Sequence, residues 1–573
     1  MYVTALKASG YRSLDGTYPL CYPLSVLVGE NNAGKSNIID ALRAVLESEA
    51  GPRGRAWLSI DDFAHDGKGN RLTDQLELEV QLGDLSEEER AHMVTCLAPS
   101  LGPDCARIRL RAKLAADGRV LAPQFIGGDS ETADVERHAR EAVRFTYLHP
   151  LRDAAADLRP GRDNRLIGLL DALAPEGSAD RDAIVKAIDD ANAELQGVGA
   201  IKTAKGQVAK RLRGMTGGGR FQQQTDLTFT DPRFDRVIAA MRAQIGRLHP
   251  LEMSEGGLGF NNLLYMAVLL AALADQPKDD GSLRVLLVEE PEAHLHPQLQ
   301  SLLMRFLEES AGDGTQVVVT SHSPTFASAA RVERLTVLSR QGDNSPVGRR
   351  PCDFGLTTKQ LKYLRRFLDV TKAALFFARG VILVEGVAEQ LLLPVFARRL
   401  GRPLAANGVA VINVGGVAFP PFTELFGEGK LPYKVAVVSD DDRQPDPGEL
   451  EGSEEALSPR ARDLEGREGA NVRVRLAPHT LEWALAEAGN KDVMLEALSE
   501  VKPKVAERLK AELDNATSDE VADAILKAVE NVKGRFAQEL AALLDDEAIE
   551  FHVPAYLVES ISWVADEVAE QDE

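Results

Sequence analysis

The chain has 573 residues, of which 44% are hydrophobic and 27% charged, and its formal net charge is −22. That length suggests roughly three or four domains, and the composition is that of a globular protein with ample core, not a disordered, collagenous or disulfide-stapled one. The acidic balance excludes a sequence-wide electrostatic grip on nucleic acid, so any such contact falls to local basic patches. Cys21, Cys96, Cys105 and Cys352 are scattered without a C-x-x-C, which argues against a disulfide framework and against a zinc site. The N-terminus has no signal-peptide pattern, and the longest apolar run, residues 263–274, is too short to span a bilayer. A cytoplasmic protein without a membrane segment is expected.

In chain order, the apolar residues 24–28 run into Gly29-Glu30-Asn31-Asn32-Ala33-Gly34-Lys35-Ser36, a full G-x-x-x-x-G-K-[ST] match, and the helical pattern 37–46 follows. That is the strand–loop–helix setting of a phosphate-binding loop. Gly29 and Gly34 let the backbone N–H groups of the loop, with Asn31 and Asn32, approach phosphates. Lys35 brings charge to the β and γ oxygens, and Ser36 can ligate Mg²⁺. Residues 76–82 and 107–114 alternate with period two and are expected as half-buried antiparallel strands, with Asp117-Gly118 as a turn. Residues 147–153 close this β-rich part, and Arg152, Arg159 and Arg162 near it are open to ATP, DNA or surface roles.

From 154 to about 220 the pattern turns helical and polar, without sustained heptads, so long coiled-coil arms are not expected. Gly217-Gly218-Gly219 is an exit, and sheet signals resume at residues 226–229. Residues 284–297 read RVLLVEEPEAHLHP: the apolar run 285–288 suits a strand buried on both faces of a parallel sheet. Glu289 and Glu290 then leave its carboxyl end, where α/β folds bind ligands. Two carboxylates there can hold hydrated Mg²⁺ and orient an attacking water. EE alone is more often a solvated strand end; the phosphate-binding loop upstream reverses that weighting.

An amphipathic linker, residues 356–377, leads into a second α/β pattern. Strand 381–384 ends at Glu385 with Glu389 beyond it, strand 411–414 ends at Gly415-Gly416, and strand 434–438 ends in Ser439-Asp440-Asp441-Asp442-Arg443. A glutamate at one strand end and D-x-D at another is the Toprim pattern, in which converging carboxylates bind Mg²⁺ to activate water and stabilise a transferring phosphate. Basic segments for DNA are residues 202–213, Arg349 with Arg350, residues 362–366 and Arg398 with Arg399, each equally readable as a solvated helix face.

Around the first two motifs the chain resembles the ABC-type ATPases of DNA repair, the RecF/SMC group. Residues 290–297 look like their Walker B and following loop, with Glu289 where many carry Asp, and residues 316–324 look like the next strand with a switch histidine, His322. Ser254-Glu255-Gly256-Gly257-Leu258-Gly259 resembles a degenerate signature motif continued by a helix over 263–274. The resemblance implies that the signature (Ser254, Gly256, Gly257) of one protomer completes the ATP site of another, hence a head-to-tail homodimer or higher oligomer. ATPase followed by Toprim is the arrangement of the OLD (overcoming lysogenization defect) nucleases. That resemblance continues through Glu389, the acidic motif at Thr480-Leu481-Glu482, the lysine motif at Lys533-Gly534-Arg535-Phe536-Ala537 and a closing strand over 551–556. It implies roles including bacteriophage defence, and for its Gabija branch a separately encoded helicase partner.

The expected fold is thus α/β: an ABC-type ATPase (1–153 and 221–345) with a helical insert for subunit contact (154–220), a helical linker (346–380) and a C-terminal Toprim domain (381–573). The expected activity is an ATP-regulated, Mg²⁺- or Mn²⁺-dependent DNA endonuclease or nickase. Glu385, Glu389, Asp440, Asp442 and Glu482 are its metal ligands, Lys533 aids them, and Glu290 and His322 serve ATP hydrolysis, with Ser36 and Glu289 on the ATP-bound Mg²⁺. Five carboxylates exceed what one Mg²⁺ takes from protein, which favours two ions. The alternative is a RecF/SMC-like ATP-dependent DNA clamp with an inactive Toprim domain. A topoisomerase would need a tyrosine-bearing cleavage domain, and a primase a zinc region.

Overall fold

The computed structural model describes residues 1–46, 58–66, 68–149, 161, 166–216, 231, 233–241, 244–245, 251–252, 257–274, 282–340, 345–416, 418–441 and 457–569. Two compact units hold them: residues 1–147, 282–292 and 297–573 in one, residues 148–281 and 293–296 in the other.

The first unit opens with strands β1 (Tyr2–Tyr11), β2 (Leu14–Pro19) and β3 (Leu24–Val28), then helix Lys35–Leu46. Strands β4 (Gln75–Gly83), β5 (Ala106–Lys113), β6 (Gln124–Gly127) and β7 (Val143–Leu148) follow. An antiparallel sheet has the order β2-β1-β4-β5-β6. Its two period-two strands pair in the register Leu78↔Leu110 and Val80↔Ile108, which puts those apolar side chains on one buried face. The Asp117-Gly118 turn sits where expected, with Gly118 at φ +81°.

Strands β8 (Gln244–Ile245) and β9 (Leu251–Glu252) form a hairpin in the second unit. The remaining strands return to the first unit. β10 (Leu283–Glu289), β11 (Thr315–Ser321), β12 (Leu335–Ser339) and β13 (Val347–Arg349) join β3 and β7 in a sheet ordered β13-β12-β3-β11-β10-β7. Strands β12, β3, β11 and β10 run parallel. Every residue of β10 is buried, as its unbroken apolar run requires of a strand covered on both faces. Helix Lys35–Leu46 lays Ile38, Ile39, Leu42, Val45 and Leu46 into a core shared with the antiparallel sheet.

Further along, β14 (Gly380–Val384), β15 (Val409–Asn413), β16 (Lys434–Asp440) and β17 (Val472–Ala477) make a parallel sheet ordered β15-β14-β16-β17. Phe396, Leu485, Leu495, Ile525, Phe536 and Ile561, from six different helices, share one core with Ile382, Val384, Ala436 and Val438 of that sheet. One expectation fails here. Residues 551–554 are irregular and helix Ala555–Ala569 begins at once, so there is no closing strand. Pro554 has no N–H for a ladder. Its carbonyl instead accepts from Leu557 N (3.0 Å) and Val558 N (3.1 Å), which winds the first helical turn.

The second unit contains helices Leu166–Leu173, Ala179–Gly197, Gly199–Thr216, Phe234–Ala239 and Leu258–Ala274. Ser178 caps the second of these by accepting from Arg181 N, and the Arg181 guanidinium stacks 4.0 Å from the Phe234 ring. The helix read from residue 263 begins five residues earlier, at Leu258. Arg152, Arg159, Arg162, residues 217–219 and residues 226–229 lie outside the described residues. Among the described residues no helix is long and apolar enough to cross a membrane.

Candidate functional site

Two sets of side chains gather at carboxyl ends of parallel strands. The first surrounds the loop between β3 and helix Lys35–Leu46. Gly29 has no tolerance for a side chain, since a Cβ there would lie 2.3 Å from the Leu338 carbonyl oxygen of β12. Gly34 and Asn32 both adopt the left-handed region, φ +83° and +64°. Lys35 is buried, and its Nζ donates to the carbonyls of Gly29 and Glu30, both at 2.7 Å. Burial lowers its pKa against the opposing pull of Glu290, Glu292 and Glu30. Ser36, Asn31 and Asn32 are exposed at the mouth of the loop.

Glu289 is buried at the end of β10 and accepts from the Tyr147 hydroxyl at 2.8 Å. Glu290 follows with φ +43°, a conformation that side-chain-bearing residues rarely adopt. This turn places its carboxylate 3.2 Å from Nδ1 of His322, which lies just past β11. Glu292 is buried too. It accepts from Ser321 Oγ (2.6 Å) and His322 N (3.1 Å), and burial raises its pKa. Lys35, Glu290, Glu292 and His322 therefore lie close together, with Glu289 one residue before Glu290 at the strand end. Tyr147 and Glu292 were not singled out as functional in the sequence; the nearest signal was Glu292's place two residues past Glu290. Gly257 sits just before helix Leu258–Ala274, while Ser254 and Gly256 lie outside the described residues.

The second set stands at the carboxyl end of the sheet β15-β14-β16-β17. Glu385 follows β14 and accepts from Ser439 Oγ at 3.0 Å and from the Arg460 guanidinium, which also donates to Ser439 Oγ at 2.7 Å. Glu389 lies in the first turn of helix Val387–Arg399, buried, and accepts from Gly386 N at 3.1 Å. Asp440 ends β16. Its neighbour Asp441 turns away, with Oδ1 accepting from His479 N at 2.9 Å, which secures the loop leading to Glu482. Thr480 caps helix Leu481–Glu487 by accepting from Trp483 N, and this buries Glu482. Lys533, at the start of helix Lys533–Leu543, donates to Glu482 Oε2 at 2.8 Å.

The charges feel one another. Burial, with Glu389 and Glu385 adding repulsion, pushes the Asp440 carboxyl up to about 8. Burial and then Glu482 and Glu385 raise Glu389. Burial disfavours the Lys533 ammonium, yet Glu482, Asp440 and Glu389 hold its pKa above the ordinary lysine value. Glu385, Glu389, Asp440, Glu482 and Lys533 are thus brought together; Asp442 lies outside the described residues. Among the described residues no three Asp, Glu, His or Cys side chains stand at metal-ligand spacing. Like charges with a lysine as their shared counter-charge repel, and their donor set still suits a hard divalent cation: oxygen-only, mostly buried and short of positive charge. Ser439 was read in the sequence only as part of the strand-end motif, and Arg460 was not singled out because it belongs to no motif.

The basic segments are largely engaged inside the protein. Arg350 pairs with Asp353 at 2.7 Å, Arg365 pairs with Glu333, Arg398 with Asp545 at 2.6 Å, and Arg399 donates to the Leu544 and Asp546 carbonyls. Residues 202–213 lie on the mostly exposed helix Gly199–Thr216.

Comparison with known proteins finds the same two kinds of domain. Residues 182–327 match the model of an AAA ATPase domain, and residues 376–442 that of an overcoming lysogenization defect protein-like TOPRIM domain. The chain is 25% identical over 427 residues to the OLD nuclease of Thermus scotoductus (strain ATCC 700910 / SA-01), spanning 72% of this chain and 77% of that protein. It is 24% identical over 216 residues to the endonuclease GajA of Bacillus cereus (strain HuB5-5), spanning 33% of this chain and 31% of that protein. The solved C-terminal region of the Xanthomonas campestris pv. campestris OLD protein is 30% identical; the match covers 35% of this chain and 97% of that one, with a TM-score of 0.27. With a phosphate-binding loop and an acidic strand end ahead of a second parallel sheet, the chain carries an AAA ATPase domain followed by an overcoming lysogenization defect protein-like TOPRIM domain, and it is similar to the OLD nucleases.

Proposed function

We propose that this protein is an ATP-hydrolysing, divalent-metal-dependent DNA endonuclease or nickase. The observation that carries the reading is the group Glu385, Glu389, Asp440 and Glu482 with Lys533 at one sheet end: acids held together under mutual repulsion, Glu389 and Glu482 buried, are costly unless a cation or chemistry uses them. The names of the relatives, OLD nuclease and endonuclease GajA, support the same activity.

Glu389, Asp440 and Glu482, with Glu385 and Asp442, would hold Mg²⁺ or Mn²⁺, which supplies an activated water and charge neutralisation at the scissile phosphate. Lys533 adds a positive charge beside the reacting phosphate, and its bond to Glu482 keeps the ammonium pointing into the group. Arg460 and Ser439 orient the Glu385 carboxylate. At the other site Lys35 leaves the loop carbonyls for the β and γ phosphates when ATP binds. Ser36 and Glu289 would hold the Mg²⁺ of the nucleotide, which would neutralise phosphate charge, and Glu290 beside His322 is placed to orient the attacking water. Ser254, Gly256 and Gly257 act on the ATP of a second protomer, so the working species is a homodimer or a higher homo-oligomer. Phage defence in the cytoplasm, with a helicase encoded separately if the chain belongs to the Gabija branch, is the setting the family suggests. A clamp with an inactive Toprim domain would have no use for the retained acids.

The test is supercoiled plasmid incubated with Mg²⁺ or Mn²⁺, with and without ATP. Conversion to nicked circles that stops with EDTA is expected; intact plasmid under all conditions, with ATP still hydrolysed, supports the clamp instead.

A further inference from the structure

The segment expected as a closing strand carries Tyr556, on the first turn of helix Ala555–Ala569. Its position is set by contacts on both sides. Phe551 stacks on Phe396 with ring centroids 5.3 Å apart, and His552 exchanges two hydrogen bonds with Asn490: His552 N donates to Oδ1, and Nδ2 donates to the His552 carbonyl, both at 2.8 Å. On the far side, the Tyr556 carbonyl accepts from Ser560 Oγ at 2.7 Å. Helix Ala555–Ala569 itself packs along β16 and β17. Phe396 lies on the helix that carries Glu389, so the tyrosine and the acids are held by one framework.

The Tyr556 hydroxyl oxygen is shut off from solvent and has no hydrogen-bond partner. A buried phenol in that state is costly, and folded proteins rarely leave one. Its electrostatic neighbours are Asp440, Glu389 and Glu482, the same three acids that face Lys533. None of the three is within hydrogen-bonding distance of the phenol, and the helix that carries it packs along β16, the strand that ends at Asp440.

We propose that Tyr556 is a component of the nuclease site, its hydroxyl donating to the water or phosphate oxygen that the divalent cation brings among Glu389, Asp440 and Glu482. The inference rests on the metal-dependent reading above. Phenols are protonated at neutral pH, so Tyr556 is a neutral donor that can fix a bound oxygen without competing for the cation. Hydrogen bonds of this kind around a metal commonly change affinity or activity by about 10–100-fold.

The experiment compares full-length wild type, Tyr556→Phe and Asp440→Ala without nucleotide. Mn²⁺ binding is measured by isothermal titration calorimetry, thermal unfolding is followed in EDTA, and plasmid nicking is assayed across Mn²⁺ concentrations. Tyr556→Phe is expected to unfold in EDTA at or above the wild-type temperature, because only an unpaired oxygen is removed. It is also expected to bind Mn²⁺ about tenfold more weakly and to nick more slowly, partly restored by excess Mn²⁺. Wild-type Mn²⁺ affinity in Tyr556→Phe overturns the proposal, as does a markedly lower unfolding temperature in EDTA, which would mark the hydroxyl as structurally bonded. If Asp440→Ala binds Mn²⁺ as wild type does, the ion-binding reading itself falls and the role of Tyr556 with it.

Discussion

Arg379 Nε lies 3.0 Å from Oε2 of Glu30, so the residue before the first Toprim strand pairs with a side chain inside the phosphate-binding loop. The charge of Glu30 also acts on Tyr433, buried just before β16. A half-exposed ion pair contributes little to stability, roughly 0–1 kcal/mol. What it does is tie the phosphate-binding loop to the amino end of β14. In Arg379→Ala the ratio of nicking with ATP to nicking without it is expected to move toward one, while the melting temperature and ATP-free nicking stay near wild type. An unchanged ratio would show that this pair does not couple ATP to cleavage.

ATP turnover should be separable from DNA cleavage. Lys35→Ala removes the buried ammonium now held by the Gly29 and Glu30 carbonyls, and Glu290→Gln removes the carboxylate beside His322. Both are expected to lose ATPase activity by ~10²-fold or more, with Glu290→Gln still binding ATP in a filter or fluorescence assay. Wild-type hydrolysis by Lys35→Ala would refute the assignment of the loop.

At the Toprim sheet, Asp440→Ala, Glu389→Ala and Lys533→Ala are each expected to lose nicking by ~10²-fold or more, the scale of losing an electrostatic stabiliser. ATPase activity should persist in all three. Normal nicking by Glu389→Ala and Lys533→Ala beside an inactive Asp440→Ala would replace the two-ion account with a single ion using Glu385 as base.

Metal affinity should depend on pH through Asp440. Its carboxyl, pushed up to about 8 by burial and then by Glu389 and Glu385, holds a proton at neutral pH that a cation must displace. Mn²⁺ binding is therefore expected to weaken as pH falls from 8 to 6, with proton release seen by calorimetry in buffers of different ionisation enthalpy. Stability follows the opposite course in metal-free protein. The folded-state pKa is above the unfolded one, so the contribution of Asp440 is fully present below about 4 and is lost as pH rises through about 8. Asp440→Asn should abolish that decline in EDTA, as urea titrations at pH 6 and 8 would read.

If the signature segment acts on a partner's nucleotide, ATPase specific activity should fall on dilution below the dimer dissociation constant. Sedimentation at the same concentrations supplies the comparison, and a monomer with full activity would rule the arrangement out.

Much of the two sites was legible in the sequence because their chemistry is local. The phosphate-binding loop is eight consecutive residues between a strand and a helix, and the buried run of β10 delivers Glu289 and Glu290 to the sheet end through its apolar pattern alone. Glu385 and Asp440 were likewise readable as residues that end strands of a parallel sheet. What depended on tertiary structure was anything set by contacts between distant segments. Arg460 reaches Glu385, and Tyr147 reaches Glu289, from positions that belong to no motif. The distinct duties of Asp440 and Asp441 follow from strand alternation and from the His479 N–H, which no one-dimensional pattern contains. Residues 551–556 were expected as a closing strand from the family resemblance alone, but Pro554 cannot donate to a ladder, and the following helix packs on β16 and β17. Sequence determined which residues carry charge to the strand ends; the packing of helices around those ends decided which of them meet, because burial and pairing are properties of the assembled chain.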